Sequence, residues 1–82
     1  MKKYLLITLI DGQQIEREIS AEYQKSIPIG AKPYDAAYMQ IARLFATSGF
    51  VSDNTNDSKA SWIAPTQIKQ VDVVFEEPLK VS

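Results

Sequence analysis

The chain has 82 residues, 45% of them hydrophobic, with nine basic against ten acidic side chains and neither cysteine nor histidine. That length allows one domain with one modest core, and the missing Cys and His exclude zinc fingers, thiol nucleophiles and imidazole bases. A net charge of −1 supplies no field to recruit nucleic acid or an anionic membrane.

The most apolar run, Tyr4-Leu5-Leu6-Ile7-Thr8-Leu9-Ile10, is strand-sized and stops at Asp11-Gly12. Lys2 and Lys3 ahead of it do not make it a secretory leader. The run is short, no small-residue cleavage pattern follows, and a cytoplasmic location is expected. No apolar run reaches the ~20 residues of a membrane span, so no membrane association is expected.

The turn at Asp11-Gly12 fixes a register. A two-residue loop would mix apolar and charged groups on one face. A three-residue loop with Gly12 at positive φ in a bulge instead pairs Leu9 with Gln13 and Ile7 with Ile15. Leu5, Ile7, Leu9, Ile15 and Ile19 then share one face, and Tyr4, Leu6 and Thr8 the other. The second strand, residues 13–20, carries Glu16, Arg17 and Glu18 in a row, as edge strands do to deter stray pairing. Glu16 and Glu18 lie on one face, but no further ligand or polarising group stands near them, so they read as a solvated strand face.

Residues 21–33 show no periodicity and contain two prolines and a glycine. They read as a long loop pinned to the core by Ile27 and Ile29. A helix of about fifteen residues is expected between Pro33 and Gly49, with Pro33 near its first position and Asp35 in its first turn. Tyr34, Ala37, Tyr38, Ile41, Leu44, Phe45 and Ser48 form its inward stripe. Gly49 reads as a left-handed residue past the helix end, with Phe50 folding back on Phe45 or Leu44.

Residues 52–59 are wholly polar and read as a mobile loop. Asp53, Asn54, Asn56 and Asp57 fall short of a calcium loop, because the glycine and the terminal glutamate of that motif are missing. A short strand around Trp62 and Ile63 follows, then a tight turn at Pro65-Thr66-Gln67 and a strand over residues 68–76. Val71, Val73 and Phe75 point to one face of that strand. Residues 78–82 read as a frayed tail, leaving an ordered core of about 3–77 within a single domain, 1–82.

The fold expected is α+β: a two-layer sandwich in which an antiparallel sheet of three or four strands carries one helix on one face, in β-β-α-β-β order. The first strand should lie between the second and the last, with the helix over Leu5, Ile7 and Leu9. The opposite face would leave Tyr4, Leu6, Thr8 and Val74 uncovered, a partner surface or the interface of a homodimer. Trp62, the only tryptophan, reads either as a lid over the end of the sheet or as a binding anchor.

No nucleophile elbow, phosphate-cradling loop or metal-ligand spacing is present in the sequence, so no catalytic residue, cofactor or metal is expected. The function expected is a small non-enzymatic accessory or regulatory module that binds a protein or itself, of the kind found among other places in bacterial viruses. The alternative is a single-strand nucleic-acid binder stacking bases on Tyr4 and Phe75 beside Lys2, Lys3 and Lys69. The charge balance disfavours it.

Overall fold

A computed structural model describes residues 2–52 and 55–77, so the expected tail, 78–82, and Asp53 and Asn54 of the polar loop lie outside the described residues. The fold is α+β. Strands β1 (Lys2–Leu9), β2 (Gln14–Glu18) and β5 (Ile68–Glu76) form an antiparallel sheet in the order β2-β1-β5. The most apolar strand is therefore central, because only there are both of its edges paired and its inward side chains covered.

The register is the one the hydrophobic pattern selects. Ile7 lies opposite Ile15, the Leu9 amide donates to the Gln13 carbonyl at 2.8 Å, and Gly12 has φ 92°. A slip by one residue would have exchanged the buried and solvated sides of β2. On the other side β1 pairs with β5 from Lys2↔Glu76 to Leu9↔Ile68, with Lys69 extruded as a bulge between Gln70 and Ile68.

Helix α2 (Ala36–Ser48) lies over β1 and β5 and turns Tyr38, Ile41 and Ala42 inward. Its stripe is narrower than expected. Tyr34 precedes the helix and is exposed, as are Leu44 and Ser48, because a helix on a sheet buries only its central rows and leaves the flanking ones at the margin. The helix starts three residues after Pro33, which lies in a preceding turn. Asp35 is the cap itself, accepting from the Ala37 amide at 3.0 Å.

Two elements were not expected. Residues 21–25 form a short helix, α1 (Ala21–Lys25), capped by Ser20 and with Glu22 and Lys25 placed favourably for its dipole. It buries no residue, which is why no periodicity marks it. Ile27 packs on the core as expected, but Ile29 is fully exposed, so one isoleucine rather than two pins this connection.

The second addition is β3 (Phe50–Val51), which pairs with β4 (Trp62–Ile63) in a separate two-stranded sheet, so β4 does not join the main one. Gly49 makes this possible. Its φ is 76° as expected, but its ψ of −175° is extended, sending the chain from the helix straight into β3. The 3-10 turn Pro65–Gln67 then leads into β5.

The helical layer is thus shared. While α2 covers Leu5, Val71, Val73 and Phe75, the β3–β4 hairpin lays Phe50 over Ile7, Leu9 and Ile15, which α2 touches only through Phe45. Phe45 bridges the two halves, its ring 6.0 Å from that of Phe50. Arg17 ties the hairpin to β2, donating to the Val51 carbonyl with its guanidinium 5.5 Å from the Phe50 ring. No helix among the described residues is long and apolar enough to cross a membrane.

Candidate functional site

Strand alternation brings Tyr4, Leu6, Thr8 and Val74 together on the face of the main sheet away from α2, with Tyr4 directly opposite Val74. This face is not the bare apolar strip expected. Tyr4 is only 8% exposed and the other three are half-buried, because the longer side chains of the flanking strands lie beside them.

Gln14, Glu16 and Glu18 flank the strip on the β2 side, and Gln70, Asp72 and Glu76 on the β5 side. Lys2 reaches over the strip, with Nζ 3.1 Å from Glu16 and 5.0 Å from the Tyr4 ring centroid. The Glu16 hydrogen bond and charge raise the Lys2 pKa. Burial, reinforced by the Glu76 and Glu16 carboxylates, raises that of the Tyr4 phenol. The face is therefore a half-covered strip under an acidic fringe. Stacking it on its own copy would oppose like charges.

The aromatic pair expected to stack bases is not assembled. Tyr4 lies on the open face, whereas Phe75 points to the helix side, edge-on to Tyr38 at 5.2 Å with Lys3 over its ring at 4.9 Å.

Trp62 lies apart from these four residues, on the helical side. It is 61% exposed, so it does not act as a lid over the core. The reason is the hairpin: β3 supplies Phe50 to the core, and its partner residue on β4 is Ile63, leaving Trp62 opposite Val51 on the outward side.

There Trp62 lines a groove of about 290 Å³ with Tyr23 of α1, Leu44, Phe45 and Ser48 of α2, and Phe50 and Val51 of β3. Tyr23, Leu44, Val51 and Trp62 are all large and exposed, and all four converge here. The groove exists because the helical layer has two parts. Leu44 and Ser48 on the flank of α2 and Val51 and Trp62 on the outer face of the hairpin line it together with Phe45 and Phe50, and Tyr23 of α1 completes the lining. Its floor is the top of the core, held in place from beneath.

Sequence reasoning identified Trp62 and missed Tyr23, Leu44 and Val51. Tyr23 sat in a segment with no period, Leu44 was counted in the helix stripe, and Val51 belonged to an unrecognised strand. A helix stripe too wide for one packing face was the available signal. The groove offers apolar surface and only a few polar groups, so it can bury an apolar side chain but carries no acid, base or nucleophile pair. No known protein family, curated protein or solved structure matches the chain.

Proposed function

We propose that the protein is a non-enzymatic protein-binding module whose groove between α1, α2 and the β3–β4 hairpin takes the apolar side chains of a partner protein. The observation that carries this reading is the convergence of four exposed large apolar side chains, Tyr23, Leu44, Val51 and Trp62, on one concavity. Scattered surface hydrophobics are ordinary in a small protein, but a concave cluster containing Trp and Tyr is the composition of an interface hot spot.

The floor formed by Phe45 and Phe50 belongs to the core, so the site is preorganised and loses little entropy on binding. An accessory or regulatory role follows from a chain that binds without catalysing. A single-strand nucleic-acid role has no support from the acidic fringe on the open sheet face.

The test is parallel capture from native cell lysate with the wild-type chain, Trp62→Ala and Leu44→Asp. The reading expects one protein to be retained by the wild type and lost from both variants, with Trp62 emission shifting to the blue when the complex forms. Identical captures by all three folded proteins would reject it.

A further inference from the structure

We infer that the free edge of β5 pairs with the β5 edge of a second copy, joining two three-stranded sheets into one continuous antiparallel sheet. This surface is separate from the groove and does not rest on its assignment.

The sheet order β2-β1-β5 leaves two edges, and they are unequally guarded. On β2 the edge is five residues long, lined by Glu16, Arg17 and Glu18, with Arg17 engaged to the Val51 carbonyl. On β5 the segment beyond the Lys69 bulge runs from Gln70 to Glu76 without proline or further irregularity. A long regular edge of this kind is a template for another strand.

The ladder settles which groups are free. Leu9 bonds to Gln13 on the β2 side, so the odd residues of β1 face β2 and the even ones face β5. Lys2, Tyr4, Leu6 and Thr8 therefore bond Glu76, Val74, Asp72 and Gln70. The backbone N–H and C=O of Val71, Val73 and Phe75 point the other way, and they have no hydrogen-bond partner among the described residues.

Charge selects the partner and the register. Antiparallel pairing of β5 with itself must set odd against odd. Centring it on Asp72 would place two carboxylates directly opposite each other, which is destabilising. Centring it on Val73 sets Val73 against its own copy, Val71 against Phe75, Asp72 against Val74 and Gln70 against Glu76, so that no two carboxylates stand directly opposite each other. It also brings Lys69 at the bulge toward Glu77 of the second copy.

A two-fold axis normal to the sheet puts both helices on the same side. The flank of α2 turned away from the groove carries the exposed Met39 with the half-buried Ala46. The self-complementary register of β5 is what identifies the occupant as this chain rather than a foreign strand.

Two measurements on the full chain test the pairing. Sedimentation at high micromolar concentration is expected to give twice the 9.2 kDa of one chain, falling to one chain on dilution. Over the same range, amide exchange at Val71, Val73 and Phe75 should change from fast to protected, while Asp72 and Val74 stay protected throughout. Val74 faces Asp72 twice by symmetry, so Val74→Lys should tighten the dimer about three- to ten-fold and Val74→Glu weaken it by a similar factor. A single-chain mass at high micromolar concentration overturns the inference. So does a dimer in which the Val71, Val73 and Phe75 amides still exchange fast, since it would use another surface, or one indifferent to both Val74 variants.

Discussion

Gly12 and Gly49 both have positive φ, yet they do different work. A side chain at Gly12 would meet nothing within 4 Å, so Gly12→Val should cost only the backbone strain of a β-branched residue in that region, about 1–2 kcal/mol. At Gly49 an added Cβ would run into the Ile63 carbonyl and lie 2.7 Å from Trp62 Nε1. Gly49→Ala should therefore cost about 3 kcal/mol, because strain and overpacking add and the hairpin must move off the helix end. Urea unfolding of the two variants checks the order, and equal costs would remove the close approach of hairpin and helix from the account. Tyr4 supplies the pH dependence. Burial holds its phenol above the usual value of about 10, so its contribution is present below that value and lost as pH rises through the higher value of the fold. As pH rises past the usual phenol value of about 10, the wild type should lose more stability than Tyr4→Phe, read as the shift in urea midpoint. Parallel loss in both would show that Tyr4 is not the group responsible.

At the scale of elements, what was legible in the sequence was what the core enforces. The β1–β2 register, the central place of β1, the span of β5 and the body of α2 all follow from apolar side chains that must share a face, and Ile7, Ile15, Val71 and Tyr38 encode them directly. Elements that bury little leave little periodic trace. Helix α1 has no buried residue and is written only in its Ser20 cap and end charges, and β3 is two residues long behind a glycine. The same distinction predicts how the two helix caps behave. Asp35 caps α2, whose inward face is part of the core, so Asp35→Ala should lower global stability by about 1 kcal/mol. Ser20 caps a helix that contributes nothing to the core, through a longer bond of 3.4 Å to the Tyr23 amide. Ser20→Ala should change global stability by less than about 0.5 kcal/mol while loosening α1 locally. Thermal unfolding with amide exchange at residues 23–26 separates the two effects.

For the whole molecule the decisive fact is that one helix and one hairpin share the layer above a three-stranded sheet. Helix α2 packs on Leu5 and Ile19 with Val73 and Phe75, while Ile7, Leu9 and Ile15 take Phe50 from the hairpin, and Phe45 and Val71 touch both groups. The join between helix and hairpin then becomes a concavity lined by what each part leaves outside. This explains why the candidate site was only partly readable: it depends on how two elements join, one of which is a strand of two residues. It also divides the aromatic residues of the hairpin into two roles, which a pair of truncations can tell apart. Phe50 is buried against Ile7, Leu9 and Ile15, so Phe50→Ala should cost about 3–5 kcal/mol by emptying the half of the core that α2 touches only through Phe45. Trp62, the first residue of β4 and outward-facing, should cost only about 1–2 kcal/mol on truncation to Ala, since most of its surface stays in water on folding. Its emission in the free protein should be that of a hydrated indole, readily quenched by iodide. A Trp62→Ala loss as large as that of Phe50→Ala would return Trp62 to the core and leave the groove without its anchor.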